Sequence, residues 1–270
     1  MKTLFVSILI LWANYNYSQK VAFEMDADTS DFPNLRRRIS DQNLFIKLDS
    51  NNFDAYVRRS QLYYQLGDYK RALSDMDQLI RINPNASSAY TNKGMCYVFL
   101  KNTKQALASF DKAIQLEPTE ALHFLNRAYA KNESGDYKGS IADLDIAIKL
   151  KPDYFKAYAN RGFSKKHLKM YREALIDYTH AISINPNYVE AYINRGQAKY
   201  LLKDYQGAIE DYDKVLKLLP DLESYDFFKW RGEAYQMKGD TANARLEFMK
   251  SDSFKSTTNK VKMYNKQSGY

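Results

Sequence analysis

Four asparagines, Asn92, Asn126, Asn160 and Asn194, stand 34 residues apart along the chain. A primary amide offers two N–H donors and a carbonyl acceptor, so a row of them can pair with the main chain of an extended polypeptide whatever its side chains. One residue further on lies a basic row, Arg59, Lys93, Arg127, Arg161, Arg195 and Arg231. An acidic row follows at repeat position 23, Asp75, Asp143, Asp177, Asp211 and Glu247, with Asp77, Asp111, Asp145 and Asp213 at position 25. Like charges stacked at one spacing would repel, so the two rows are expected to pair between elements, joined by Lys131, Lys165 and Lys199. An anionic ligand along the basic row is the functional alternative. Catalytic chemistry finds no comparable pattern. His123, His167 and His180 share no metal-ligand spacing, and no Gly-x-Ser-x-Gly turn, phosphate-binding glycine loop or separate carboxylate pair occurs. No enzyme activity, metal or cofactor is expected.

The elements that would hold these rows are set by the same period. Proline recurs at 84, 118, 152, 186 and 220, and each closes a segment with two amphipathic stretches. The repeats run 53–86, 87–120, 121–154, 155–188 and 189–222, and a sixth occupies 225–258 after a two-residue insertion. Position 4 is aromatic throughout, from Tyr56 to Phe228, and position 8 is small: Ser60, Gly94, Ala128, Gly162, Gly196 and Gly232. Positions 20, 24 and 27 fall at i, i+4 and i+7 of a second helix and form one apolar stripe facing the first. Gly67-Asp68, Gly135-Asp136 and Gly239-Asp240 supply a left-handed residue to end helix A and an acid to cap helix B. Lys101, Lys169 and Lys203 occupy the glycine's place in the other three repeats, where a positive φ would cost about 1 kcal/mol or more. The turns are expected to centre on 67–69, 101–103, 135–137, 169–171, 203–205 and 239–241.

This pattern resembles the tetratricopeptide repeat. The resemblance implies an all-α fold, a right-handed superhelical solenoid of six helix pairs, with an N-terminal capping helix over residues 33–48, where Leu35, Ile39, Phe45, Ile46 and Leu48 are the apolar positions. It further implies that helix A lines a concave groove and that positions 2, 5, 6, 9, 12 and 13 point into it. Family members with an asparagine ladder at position 6 bind peptide backbone there. On that likeness the binding residues are Asn92, Asn126, Asn160 and Asn194, flanked by Leu125, Tyr129, Phe163 and Ile193 for selectivity, with their amides free of their own helices. A shared repeat consensus, or packing between repeats, accounts for the same residues without a ligand, and both readings stand at this point. The carboxylate clamp of some members is not matched, since repeat one has Val57 and Gln61 where lysine and asparagine are needed.

The two ends fall outside the repeats. Residues 1–18 read as a signal peptide: Lys2, an apolar run over 4–13 too short for a bilayer span, then a polar stretch. Export is expected, to the periplasm or outside the cell, with the mature chain beginning near Gln19. Residues 19–52 form a linker and the capping helix, and 259–270 a basic flexible tail. The lone Cys96 falls within a repeat helix and reads as a buried apolar residue. A net charge of +8 is spread among interleaved acids, without the continuous basic stripe that nucleic acid requires. The expected function is an exported, non-enzymatic scaffold that captures an extended peptide or protein tail. The second reading is a structural subunit of an envelope assembly, joined through its convex face or C-terminal end.

Overall fold

The computed structural model describes residues 32–267, with side chains over 34–254. The expected signal peptide, most of the linker and the expected mature start at Gln19 lie outside the described residues. Within them are thirteen helices and no strand. After α1 (Phe32–Leu48) come six A/B pairs: α2 (Phe53–Gln65) with α3 (Tyr69–Ile82), α4 (Ser87–Phe99) with α5 (Thr103–Leu116), α6 (Ala121–Glu133) with α7 (Tyr137–Leu150), α8 (Phe155–His167) with α9 (Tyr171–Ile184), α10 (Val189–Leu201) with α11 (Tyr205–Leu218), and α12 (Tyr225–Lys238) with α13 (Thr241–Gln267). Two compact units divide at Pro152. The first holds α1 to α7 and the second α8 to α13. Within each, every helix packs on its neighbours in sequence, and among the A helices α4 touches α6, α8 touches α10 and α10 touches α12.

Local chemistry starts and stops each helix where the repeat requires. Asp68, Asn102, Asp136, Asp204 and Asp240 accept a hydrogen bond from the backbone N–H three residues on, capping the B helices of five repeats. Met170 leaves α9 without a side-chain cap. The residue before each repeat's closing proline turns extended, as at Asn83 and Asn185, and ends helix B. Ser256 stands at that proline's place in the last repeat, and α13 runs on to Gln267, past the residue at 259 where a flexible tail is expected. The A/B turns span 66–68 and its equivalents, one residue upstream of the expected centres, because helix B opens at position 17. Gly67, Gly135 and Gly239 are left-handed there, and so are Lys101, Lys169 and Lys203, with φ of 57°, 62° and 67°.

Helix A meets helix B through a matched pair at positions 8 and 24. A Cβ built on Gly94 would lie 2.6 Å from the Phe110 ring, and one on Gly196 would lie 2.7 Å from Tyr212. Where position 24 carries Met76 or the narrower Leu144, position 8 is Ser60 or Ala128. An aromatic ring thus selects glycine, and an aliphatic side chain admits a Cβ. The capping helix follows the same economy only in part. Leu35 and Ile39 are buried and Ile46 packs against Tyr56, Met76 and Leu79, but Phe45 and Leu48 face outward, the latter 76% exposed. A helical period brings 35, 39 and 46 to one side and turns 45 and 48 away from it.

The basic and acidic rows pair between the helices of each repeat. Arg127 donates through Nε and Nη2 to the two oxygens of Asp143 at 2.9 and 2.6 Å, through Nη1 to Asp111 at 2.7 Å, and Lys131 reaches Asp143 at 2.7 Å. Asp143 is 3% exposed, so the charge it brings into the core is answered by two cations. The same bidentate contact joins Arg59 to Asp75, Arg161 to Asp177 and Arg195 to Asp211, with Lys165 and Lys199 in the role of Lys131. Ser109 replaces the acid in repeat two, and Lys93 turns to Asp77 of the preceding repeat instead. The hydrogen bond to Asp143 holds the Arg127 pKa above its ordinary value.

Candidate binding face of the A helices

The four asparagines share a register but not an environment. In the first unit Asn126 is 0% exposed, and neither its Oδ1 nor its Nδ2 has a hydrogen-bond partner. Leu125 and Tyr129 beside it are buried too. These three are interior residues, which corrects the expectation that they line an open groove: apolar side chains at positions 5 and 9 serve the packing of helix on helix. Asn92 is half-buried. Nearby in the same unit His123 bonds Thr91 Oγ1 through Nδ1 at 2.8 Å, and burial holds its pKa below the usual value. Cys96 is buried, its thiol pushed up to about 12. Neither is placed to act as a nucleophile or base on a ligand.

In the second unit the amides fold back on their own helices, contrary to the expectation that they stand free. Asn160 Nδ2 donates to the Lys156 carbonyl at 2.8 Å, and Asn194 Nδ2 to the Glu190 carbonyl at 2.9 Å. A short amide side chain on a helix reaches the carbonyl one turn back, which competes with any external partner. Asn160 is buried as well. Asn194 is half-buried and keeps a second role, because its Oδ1 accepts from Lys166 Nζ at 2.8 Å while Gln197 Oε1 accepts from the same nitrogen at 2.5 Å. Lys166 comes from the last turn of α8, and both amides come from α10. Burial draws the Lys166 pKa down to about 8 and pushes the Glu190 carboxyl up to about 7.

Aromatic rings frame this cluster. Phe163 lies 5.5 Å from Lys166 Nζ and 4.3 Å from the His167 ring. Ile193, like Phe163, is half-buried. One repeat on, the positions of Lys166 and Asn194 are taken by Tyr200 and Trp230, which meet edge to face at 5.3 Å. Lys166 and Gln197 were not singled out from the sequence. The available signal was position 12, among those the family resemblance turns toward the groove, where Lys166 stands without an acid in reach. Among the described residues no group of three His, Cys, Asp or Glu gathers around a common point that could hold a metal, and no helix is long and apolar enough to cross a membrane.

Stacked helix pairs tied by buried ion pairs, with amides, aromatics and one ammonium along an A-helix face, define a helical-repeat scaffold. The chain belongs to the tetratricopeptide repeat family: the repeat's profiles match residues 53–86, 87–120, 155–188 and 189–222. No curated protein sequence matches it. Among solved structures it is similar to PilW, described as a widely conserved type IV pilus biogenesis factor, at 18% identity and a TM-score of 0.67 over 72% of this chain and 90% of that one. It is similar to Pseudomonas aeruginosa PilF at 17% identity and a TM-score of 0.65 over 74% and 96%. YrrB, described as a TPR protein with an unusual peptide-binding site, is 22% identical with a TM-score of 0.50 over 67% and 93%. At these identities the likeness is one of fold.

Proposed function

We propose that the chain is a non-enzymatic scaffold, exported by residues 1–18, that holds an extended segment of another protein along the A-helix face of α8, α10 and α12. The observation that carries this reading is that the repeat's ion pairs consume positions 7, 11 and 23, whereas Lys166, Asn194, Gln197 and Phe163 at positions 12, 6 and 9 serve neither that ladder nor the A/B core. A segment laid there would find hydrogen-bonding groups beside half-buried aromatic surface, the mixture that peptide recognition needs. YrrB supplies a precedent for peptide binding in this architecture, and PilW names one kind of envelope assembly that an exported scaffold could serve.

Selection of random linear peptides on the whole protein tests the reading. Binders should weaken about tenfold or more when Phe163→Ala is combined with Gln197→Ala, because one hydrogen bond and one aromatic contact are lost together. They should be unaffected by Ile176→Ser on the exposed face of α9. The reverse pattern would move the binding site to the B helices. N-terminal sequencing of the protein from its own cell should find a chain starting near Gln19, and a retained Met1 would remove export from the proposal.

A further inference from the structure

The hydrogen-bonding capacity left over at the Lys166 cluster is mostly that of donors. Lys166 spends two of its three N–H groups on Asn194 Oδ1 and Gln197 Oε1. Those two contacts fix both amides, since flipping either would set an NH2 against an ammonium. Asn194 therefore turns its nitrogen away from Lys166 and uses one N–H on the Glu190 carbonyl. What remains is the third N–H of Lys166, the second N–H of Asn194 and the NH2 of Gln197, four donors against one lone pair left on each of the two amide oxygens. The cluster also carries a positive charge that no acidic group among the described residues answers. Lys165, one residue earlier, is bound to Asp177 at 2.7 Å, but among the described residues Lys166 has no acidic partner.

A half-buried ammonium held by neutral oxygens favours a ligand that brings negative charge and acceptors together. A peptide carbonyl supplies an acceptor without charge. An ionised carboxylate supplies charge and two oxygens, and it donates nothing, so it makes no demand that the cluster cannot meet. We infer that Lys166, Asn194 and Gln197 form a receptor for an ionised carboxylate carried by the bound segment, with Phe163 as the apolar wall beside it. This rests on the binding face proposed above and names the group that the face selects.

The test uses three peptides of alternating alanine and tyrosine: one acetylated, amidated and centred on glutamate, its glutamine counterpart, and the glutamine peptide with a free C-terminus. Titration calorimetry with the whole protein should show the glutamate peptide binding about tenfold or more tighter than the blocked glutamine peptide. Lys166→Gln should abolish that difference and Lys166→Arg should retain it, with circular dichroism confirming that both variants fold. A gain in the free-terminus peptide equal to that of glutamate would support the receptor and assign it to a chain end; no gain would assign it to an acidic side chain. Equal binding of all three would overturn the carboxylate inference while leaving peptide binding standing. Binding by none at millimolar concentration would overturn both.

Discussion

The two units are built from one repeat and put the same residue to opposite uses. In the first, Asn126 is sealed between apolar neighbours with its amide unanswered; in the second, Asn194 is half-exposed and shares a lysine with Gln197. The difference is set one repeat upstream. The residue at position 12 of the preceding repeat is Val98 in the first case and Lys166 in the second. Lys166 gives the Asn194 oxygen a hydrogen bond, whereas Val98 has no polar side-chain atom to offer Asn126, whose amide is without one. Position 6 alone therefore does not set what its amide bonds; at Asn194 the residue at position 12 of the preceding repeat takes part.

This contrast requires that the units agree in everything structural, and the ion-pair ladder tests that agreement with the largest effect. Asp211→Ala leaves Arg195 and Lys199 without their acid at a largely buried point, whereas Asp143→Ala leaves Lys131 without its acid and Arg127 with Asp111 alone. Asp211→Ala should cost roughly 3–5 kcal/mol in chemical denaturation, and Asp143→Ala less than Asp211→Ala. Asp213→Ala removes a partner that is 44% exposed and leaves Arg231 its contact with Glu247, so about 1 kcal/mol or less is expected. A larger loss at Asp143 than at Asp211 would mean that the units differ in their frameworks beyond this one extra pair.

The asparagines sharpen the comparison through the sign of the response. Asn126→Leu removes two polar atoms that are buried without partners and should raise stability by about 1–3 kcal/mol. Asn194→Leu strips Lys166 of an acceptor and should lower stability, by about 1 kcal/mol or more. Destabilisation by both substitutions would show that an ordered water or an adjustment of the helices satisfies Asn126 in solution.

Much of the fold was legible because its determinants lie within one repeat. The prolines, the Gly-Asp turns, the three left-handed lysines and the pairing of Arg127 with Asp143 each follow from residues a few turns apart on two helices that must pack together. The glycine at position 8 could be read against the ring at position 24 for the same reason. The site was less legible. A column of asparagines looks uniform when read down position 6, but the groups that answer or bury it stand at other positions in the neighbouring repeat, and an amide's bond to its own helix leaves no trace in spacing. The outward turn of Phe45 and Leu48 was missed because apolar type alone does not say which side of α1 meets the first repeat.

The smallest expected effect concerns the turns. Each unit has three, and the first spends one lysine on a left-handed residue, Lys101, while the second spends two, Lys169 and Lys203. At Lys203 the chain closes with the amide of Lys203 donating to the Tyr200 carbonyl and that of Asp204 to the Lys199 carbonyl, the pattern in which glycine relieves the clash of Cβ with the backbone. Glycine also has more freedom to lose on folding, which offsets part of the relief. Lys203→Gly should therefore raise stability by only about 0.5–1 kcal/mol, and Lys169→Gly by the same amount, with peptide binding unchanged because neither side chain belongs to the Lys166 cluster. Lys101→Gly should yield less, since its ammonium is paired with Glu133 at 3.1 Å and that contact is lost with the strain. A loss of stability at Lys203 would mean that the lysine stem contributes packing at the turn that outweighs its backbone conformation.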